Sequence, residues 1–224
     1  MTQSSLDWDA IYRQEPRPPW SIGRPQPELA ALIDQGKIRS DVLDSGCGHA
    51  ELSLALAARG YTVVGLDASA TAIKAAAALA AERGLTTATF AQADITNFQG
   101  YDGRFSTILD SALFHALPPG SHQDYARSIF QAAAPGARLY ILAFAAGALG
   151  DDDPDRPGSR GYTETELHDA VATLWRVDDI RSANLYGNAA ALEVLGPAFA
   201  EAERDGEGHF LTPGFLLSAH KPER

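Results

Sequence analysis

A glycine-rich turn flanked by carboxylates is the part of the sequence best suited to hold a small charged molecule. It spans residues 44–51 and reads DSGCGHAE. Dinucleotide-binding turns need a third glycine at the sixth position of their motif, where helix and strand pack closely beside the pyrophosphate. Here that position is Glu51, and a carboxylate at a helix N-terminus occupies the field that would attract phosphate. The turn therefore disfavours a nicotinamide oxidoreductase and favours a cationic cofactor without phosphates.

Two further carboxylates stand at the ends of predicted strands. Asp67 comes 23 positions after Asp44, near the spacing of about 20 residues at which a carboxylate accepts ribose hydroxyls. Asp94 closes the third predicted strand, where a carboxylate can meet an adenine amino group. S-adenosylmethionine carries an adenine, a ribose, an α-ammonium and a sulfonium. Together with the acidic turn, these positions predict S-adenosylmethionine as the cofactor.

These side chains need a scaffold that brings several strand ends to one edge. Apolar runs alternate with amphipathic helices from residue 41 to residue 144, which indicates a parallel sheet covered on both faces. Right-handed crossovers make such a sheet doubly wound, so the predicted fold class is α/β. The predicted strands cover residues 41–46, 62–68, 88–94, 105–112 and 137–144, and the helices between them cover residues 50–60, 69–84 and 122–136.

A single domain is predicted for the 224 residues, because one well-buried core suits a chain of this length. Residues 39–145 form its predicted cofactor-binding core, and residues 146–224 are expected to complete the sheet. In that last part, residues 188–213 show no pattern that assigns them to an element. A helix and a final pair of strands are predicted at residues 163–174, 175–186 and 215–221.

Residues 1–38 are predicted to form an arm or lid followed by a cap helix. The prolines of EPRPPWSIGRPQP resist helix interiors and central strands, and a short helix is expected around residues 6–12. Tyr12 and Trp20 are the candidates to cover the site, because aromatic rings exclude water, stack on planar acceptors and contact a sulfonium. Trp20 is expected to touch both cofactor and acceptor, and Gly23 to allow close backbone approach at the methionine end. The alternative is that these rings only anchor the arm to the core.

The segments VLDSGCG, VVGLDAS, AQADI and FSTILDSALFH resemble the successive motifs of class I S-adenosylmethionine-dependent methyltransferases. The resemblance covers roughly residues 40–145 and implies a Rossmann-like sheet of seven strands, mostly parallel, with the seventh antiparallel. It implies that Asp67 holds the ribose, that Asp94 and Ile95 flank the adenine, and that Asp110 lies near the methionyl end. The remaining cofactor-binding residues that it implies, around the methionine pocket and the ribose, are Asp44, Gly46, Gly48 and Ala68.

A narrower resemblance extends over nearly the whole chain. PPWSIGRPQPELAALI, GYDGRFSTILDSALFHALP and LLSAHK are similar to segments of the mycobacterial heterocyclic toxin methyltransferases. That family methylates oxygen or nitrogen of aromatic heterocycles such as hydroxyquinolones, so the resemblance implies a detoxifying methyltransferase for a small aromatic heterocycle. Two alternatives stay open: a methyltransferase for a phenol, quinone or thiol, and a sensor that binds S-adenosylmethionine without turnover.

The segment DSALFHALPPG after the fourth strand bears on the methyl acceptor. It lacks the Asn/Asp-Pro-Pro-aromatic pattern with which many base-amino and glutamine-amide methyltransferases hold a planar nitrogen. Phe114 and His115 are expected to contact the acceptor, with His115 as the catalytic residue that accepts a proton or orients an oxygen. The alternative for His115 is a histidine packed against the sheet. His49 has two readings of its own, as a lining residue of the acceptor pocket or as a solvent-facing loop residue.

Other chemistry is disfavoured. Cys47 lies between two glycines with no evident Cys–His relay, which makes it a poor nucleophile. Residues 150–155, GDDDPD, lack the glycine and terminal glutamate of a calcium loop and read as a solvated surface loop. No His and Cys spacing predicts zinc. We therefore expect no metal ion.

The composition of the chain limits its partners and its location. The net charge of −11 argues against nucleic acid as a substrate, because phosphate-binding surfaces are basic. No apolar run reaches the ~20 residues of a membrane span, and the N-terminus lacks the apolar core of a signal peptide. The single cysteine suits a reducing compartment. We expect a cytoplasmic protein that acts on a small molecule as a monomer, with a dimer left open.

Overall fold

The computed structural model of the chain describes residues 7–14, 17–118, 120–150, 160–189 and 202–223. Three sequence-based interpretations fall partly outside these ranges. They are the start of the first helix at Leu6, most of the loop 150–155, and the middle of the insertion 188–213.

A seven-stranded sheet forms the centre of the described structure, with the strand order β3-β2-β1-β4-β5-β7-β6. All neighbouring strands are parallel except β7, which runs antiparallel to both β5 and β6. This arrangement confirms the predicted doubly wound sheet and its antiparallel seventh strand. The strands are β1 (Val42–Ser45), β2 (Val63–Asp67), β3 (Ala88–Gln92), β4 (Phe105–Ser111), β5 (Ala133–Phe144), β6 (Arg176–Gly187) and β7 (Phe210–His220).

Helices cover both faces of the sheet. They are α1 (Trp8–Tyr12), α2 (Pro27–Asp34), α3 (Glu51–Ala58), α4 (Ala70–Glu82), α5 (His122–Ala132) and α6 (Glu164–Val171), and a 3-10 turn spans Phe114–Ala116. Successive residues of one strand enter different hydrophobic clusters, because side chains alternate between the two faces. Leu43 packs in the cluster that contains Tyr125 and Trp175, whereas Val42 packs in the cluster that contains Leu29.

The boundary between α5 and β5 differs from the sequence-based prediction. The helix was expected to continue to residue 136, but it ends at Ala132 and the strand begins at the next residue. Pro135 has no N–H to donate and cannot continue a helix. Ala133 instead pairs with Phe105, and the register then shifts before Arg138 pairs with Thr107.

Candidate active site

A cavity of about 750 Å³ opens at the carboxyl ends of the parallel strands. The ends of β1 and β2, the segment after β3, the loop after β4 and the N-terminal arm all contribute to its wall. Ligands of open α/β sheets bind at this edge, where successive crossovers diverge. The predicted site residues that line the cavity are Tyr12, Trp20, Asp44, Gly46, Gly48, Asp67, Ala68, Asp94, Ile95 and His115.

Three predicted site residues lie outside the cavity wall. Phe114 is fully buried and packs against the ring of His122 at 4.5 Å, so the prediction that it contacts the acceptor is wrong. Asp110 is also fully buried, and it stabilises the turn after β4; its expected position near the methionyl end stays a prediction. Gly23 is exposed, with φ +78°, and its N–H donates to a carboxylate oxygen of Glu51 at 3.0 Å.

Asp110 positions the loop that follows β4. Its Oδ1 accepts hydrogen bonds from the backbone N–H groups of Leu113 at 2.8 Å and Phe114 at 3.2 Å, and its Oδ2 accepts one from the hydroxyl of Tyr125 at 2.8 Å. Ala112, just before these donors, has a left-handed φ of 67°. This tight turn directs Phe114 into the core and leaves the adjacent His115 in the cavity wall. Burial raises the pKa of Asp110 to about 7.

The glycine turn depends on close backbone approach. Gly46 and Gly48 have φ values of +68° and +50°, and a Cβ atom on Gly48 would lie 2.5 Å from the hydroxyl oxygen of Tyr12. Ala50, at φ 63°, also adopts the left-handed conformation. Non-glycine residues held in this region are costly and concentrate at functional sites. The turn is thus shaped to receive the side chain of Tyr12 from the arm that covers it.

Asp67 links the end of β2 to the glycine turn. Its Oδ2 accepts the N–H of Gly48 at 2.8 Å, and its Oδ1 accepts the N–H of Ser69 at 2.8 Å. Burial raises the pKa of Asp67, although these backbone donors act in the opposite direction. Each oxygen keeps a second lone pair, so the carboxylate is fixed in place and still able to accept ribose hydroxyls.

The wall of the cavity is rich in negative charge. Asp44 is buried, accepts the hydroxyl of Ser53 at 2.6 Å, and has its pKa raised to about 6 by burial. Asp67, Asp94 and Glu51 line the same space, while Arg24 is the single Lys or Arg among the lining residues within the described ranges. A buried carboxylate without a cation is unfavourable. The residues present therefore fit a cationic, phosphate-free cofactor such as S-adenosylmethionine.

The N-terminal arm lies directly over the glycine turn. The indole N–H of Trp20 donates to the hydroxyl of Tyr12 at 3.3 Å, and Tyr12 packs edge-on against His49 with ring centroids 5.0 Å apart. Burial raises the pKa of Tyr12 far above its ordinary value. The predicted cover over the site is therefore present in the fold, with both aromatic residues in the cavity wall.

Anchors hold the arm at both ends. Asp9 accepts the hydroxyl of Ser69 at 2.7 Å and the N–H of Thr71 at 2.8 Å, at the N-terminus of α4. At the other end, the side-chain amide of Gln26 donates to the carbonyl of Tyr186 at 2.9 Å and accepts its N–H at 2.8 Å. Asn188 donates to arm carbonyls as well. Sequence analysis did not identify these anchors.

His115 lines the cavity beside the loop that follows β4. Its Nδ1 is buried and has no hydrogen-bond partner in the described structure, and the ring packs edge-on against Phe144 with centroids 4.6 Å apart. Because Nδ1 is buried and the residue lines the cavity, we infer that Nε2 is the nitrogen available to a ligand. Burial lowers the pKa of His115 to about 4, so the imidazole is neutral at physiological pH. The residue both packs against the sheet and faces the site.

Two residues of the glycine turn, His49 and Cys47, are also candidates for roles at the site. His49 lines the cavity, and its Nδ1 lies 3.2 Å from the hydroxyl oxygen of Ser21 in the arm. The reading of His49 as a solvent-facing residue is therefore wrong. Cys47 also lines the cavity, but burial raises the pKa of its thiol. A protonated thiol is a poor nucleophile.

One group of side chains in the described ranges is close enough to hold a metal ion. It consists of Asp205, Glu207 and His209, none of which lines the cavity. The guanidinium of Arg24 pairs with both carboxylates at 3.2 Å, so the group serves as another anchor of the arm. Within the described ranges, no helix combines the length and apolar character needed to cross a membrane.

Comparison with known proteins adds to this geometry. Residues 42–136 match the family model described as a methyltransferase domain. The chain is 49% identical over 222 residues to 2-heptyl-1-hydroxyquinolin-4(1H)-one methyltransferase of Mycobacteroides abscessus, covering 99% of this chain and 96% of that protein. It is 29% identical over 143 residues to a probable thiol methyltransferase 2 of Arabidopsis thaliana, covering 63% of this chain and 62% of that protein.

A solved structure is also similar over nearly its full length. It comes from work on the conversion of a disulfide bond into a thioacetal group during echinomycin biosynthesis. The TM-score is 0.80 at 31% sequence identity, and the match covers 98% of this chain and 93% of that one. The similarity therefore includes the arm and the last strands as well as the central sheet.

Proposed function

Because the chain belongs to the class I S-adenosylmethionine-dependent methyltransferases, we propose that it methylates an oxygen or nitrogen of a small aromatic heterocycle of the hydroxyquinolone type. The observation that carries the proposal is the neutral His115, which lines a cavity whose wall also carries carboxylates and the aromatic rings of the arm. The 49% identical relative named for a hydroxyquinolone supports the choice of acceptor. Detoxification of such a compound and a cytoplasmic location are part of the proposal.

The residues at the strand ends hold the cofactor in this account. Asp67 accepts the ribose hydroxyls, and Asp94 and Ile95 flank the adenine. S-adenosylmethionine, when bound, supplies a methyl group on a positively charged sulfur that is activated for in-line displacement. The remaining work for the protein is to align the acceptor and to exclude water. Tyr12 and Trp20 do both from the arm, because their rings cover the glycine turn.

His115 acts on the acceptor through Nε2. That atom accepts a hydrogen bond from the acceptor hydroxyl and orients the oxygen for attack. With a pKa of about 4, the imidazole is a weak base, which suits an N-hydroxy group or an acidic phenol better than an alcohol. The hydroxyl becomes far more acidic as its oxygen gains the methyl group. A weak base at Nε2 can therefore take the proton late in the reaction.

A thiol is the second candidate acceptor. The specific observation in its favour is the similarity to a protein named as a probable thiol methyltransferase. A thiol ionises near neutral pH without a strong base, so His115 would contribute little to its methylation. The two candidates therefore differ in their dependence on this side chain.

The proposal is tested by a mass-spectrometric assay with S-adenosylmethionine and matched acceptor pairs. A hydroxyquinolone is compared with the same ring lacking the hydroxyl, and both are compared with an alkyl thiol, a flavonol and a simple phenol. We expect a methylated product from the hydroxylated heterocycle and none from its unhydroxylated partner. Methylation of the thiol alone would favour the second candidate. Tight binding of S-adenosylhomocysteine without any product would indicate a sensor.

A further inference from the structure

Glu51 differs from the other carboxylates in the cavity wall. It begins α3, directly after the glycine turn, and it is partly buried. Its Oε1 accepts the backbone N–H of Gly23 at 3.0 Å, which connects the turn to the arm. Among the residues that the structure describes, no cation forms an ion pair with it, although the charge of Arg17 favours its ionised form. Glu51 is thus a carboxylate that contacts the arm and has no direct ion-pair partner among the described residues.

The neighbouring carboxylates are already engaged. Both oxygens of Asp67 accept backbone N–H groups, Asp44 accepts the hydroxyl of Ser53, and Asp94 accepts the N–H and hydroxyl of Thr96 through one oxygen. Glu51 Oε2 accepts no hydrogen bond from the described residues. A cationic group that enters the cavity beside the glycine turn can therefore bind Glu51 Oε2, and Glu51 is the carboxylate of these four that also holds the arm.

We propose that Glu51 joins the cofactor to the arm, binding the α-ammonium of the cofactor while holding the N–H of Gly23. The arm then closes fully only over a ligand that carries an α-ammonium. This inference rests on S-adenosylmethionine being the cofactor, as the proposed function requires. Glu51 is a positioning residue in this account, because it binds cofactor and arm without contacting the acceptor.

The physical link is the charge of the carboxylate. Burial disfavours the ionised form of Glu51 and raises its pKa, while the Gly23 hydrogen bond and the charge of Arg17 act in the opposite direction. An ammonium beside it favours the ionised form, and an ionised acceptor makes a hydrogen bond about twice as strong as a neutral one. The bond to Gly23 is therefore stronger when the ammonium is present. By linkage, closure of the arm increases the affinity for the ammonium by the same factor.

A pair of ligands separates the ammonium from the rest of the cofactor. S-adenosylhomocysteine carries the α-ammonium, whereas 5′-methylthioadenosine has the same adenine and ribose but no amino-acid tail. Calorimetric titration is performed on the wild-type chain and on Glu51→Gln. We expect the substitution to weaken S-adenosylhomocysteine binding about tenfold or more, since hydrogen bonds to charged groups are strong, and to leave the affinity for 5′-methylthioadenosine within about twofold.

Asp94→Asn is the matched control, because it removes one charge from the same wall at the predicted adenine end. Both ligands carry the adenine, so this substitution should weaken both equally and leave the ratio of their affinities unchanged. If Glu51→Gln lowered the affinity for both ligands by the same factor, or lowered neither affinity, the assignment of the ammonium to Glu51 would be overturned.

Hydrogen exchange of the arm amides tests the coupling without any turnover. In the wild type, S-adenosylhomocysteine should slow exchange over residues 20–24, and 5′-methylthioadenosine should not. Glu51→Gln keeps an oxygen for Gly23, so the ligand-free arm should exchange as in the wild type but lose the response to S-adenosylhomocysteine. Glu51→Ala should speed exchange even without ligand.

Two results would contradict the coupling and leave the proposed function intact. One is equal protection of the arm by both ligands in the wild type. The other is an unchanged response to S-adenosylhomocysteine in Glu51→Gln. If the wild-type chain bound neither ligand, the proposed function itself would fail. The three outcomes are therefore distinguishable in one set of samples.

Discussion

Two walls of the cavity are built in different ways. The strand-end wall, represented by Asp44 and Asp67, is fixed by bonds between residues that are close in sequence. Asp67 accepts N–H groups from positions 2 and 19 residues away. The arm wall, which carries Tyr12 and Trp20, is instead held by Gln26 across 160 residues. The strand-end wall is set by the sheet itself, whereas the arm wall is an element that docks onto it.

This contrast suggests a division of labour. A carboxylate fixed by backbone donors keeps its position whether or not a ligand is present, which suits recognition of the constant cofactor. A docked arm can exclude water after the ligands have entered, since loops that cover active sites are drawn from less stable parts of a fold. Changes in the strand-end wall should therefore alter cofactor affinity, and changes in the arm wall should alter acceptor kinetics.

The largest effect is expected from Asp67→Ala. The variant loses the ribose acceptor and also frees the N–H groups of Gly48 and Ser69. We expect the affinity for S-adenosylhomocysteine to fall about a hundredfold, because each hydrogen bond to a charged group contributes roughly 1.5–3 kcal/mol. Calorimetric titration measures this affinity. Asp124→Ala, at an exposed position, is the control, and Asp67→Asn is a second variant that disrupts folding less. An affinity unchanged in both Asp67 variants would refute the ribose assignment.

His115→Ala should lower the rate of methyl transfer to the acceptor without changing the affinity for the cofactor. We expect kcat to fall about thirtyfold, less than the roughly 10²–10⁴-fold typical of general acid–base catalysis, because an acidic hydroxyl needs less help from a base. The affinity for S-adenosylhomocysteine should be unchanged. The loss should grow as the acceptor hydroxyl becomes less acidic. Since burial lowers the pKa of His115 to about 4, no inflection from this residue is expected between about pH 5 and pH 8. Equal activity of the variant across acceptors would show that His115 only packs.

Gln26→Ala tests the anchor of the arm wall. The substitution leaves the N–H and C=O of Tyr186 without their partner in a site where Gln26 itself is 6% exposed. We expect the free energy of unfolding to fall by about 2 kcal/mol and the acceptor KM to rise several-fold. Urea denaturation and steady-state kinetics measure the two effects, with the exposed Gln35→Ala as control. A variant with lower stability and an unchanged KM would separate the arm from acceptor binding.

Asp110→Asn tests the buried carboxylate beneath the loop that carries His115. Because burial raises the pKa of Asp110 to about 7, the folded chain keeps this proton between about pH 4 and pH 7, where the unfolded chain has released it. Its contribution to stability is complete below about pH 4 and is lost as pH rises through about 7. Relative to the variant, the wild type should lose up to about 1.4 kcal/mol per pH unit in this window. Parallel stability curves for the two proteins would contradict the raised pKa.

The smallest effect is expected from Ala50→Gly in the glycine turn. Glycine adopts the left-handed φ of 63° without strain, which should stabilise the fold by about 1 kcal/mol. The substitution also removes a buried methyl group and raises the entropy of the unfolded chain, and both effects destabilise the fold. We therefore expect the free energy of unfolding to change by less than about 1 kcal/mol. Ala50→Val should instead destabilise the fold by more than about 2 kcal/mol, because β-branched residues avoid this region. Thermal denaturation distinguishes the two variants.

The contrast between the strand-end wall and the arm wall also explains which parts of the site could be predicted from the sequence. The alternation of strands and helices and the carboxylates at the strand ends follow from local spacing, and Asp44, Asp67 and Asp94 do line the cavity. Phe114 was misplaced because the left-handed turn at Ala112 breaks the alternation of β4, and no local signal marks an alanine in that conformation. Asp110 lies outside the wall, since its carboxylate accepts hydrogen bonds from that turn.

The anchors of the arm could not be predicted from local patterns. Gln26, Asn188 and Arg24 meet partners more than 150 residues away, and polar side chains of these types carry no periodicity that reveals a pairing. Asp9 had a weak signal, because an acidic residue near a short helix can cap another element. Sequence analysis predicted an aromatic arm over the site, and only the structure shows what fixes it there.

The most direct test of the central claim is a single-turnover experiment. The chain is loaded with S-adenosylmethionine in an amount below that of the protein, and a hydroxyquinolone is added in excess. The account predicts one methylated heterocycle for each S-adenosylhomocysteine formed, with the rate sharply reduced in His115→Ala. Intact S-adenosylmethionine after prolonged incubation with acceptors of every class tested, despite tight binding of S-adenosylhomocysteine, would contradict the assignment as a methyltransferase of small aromatic heterocycles.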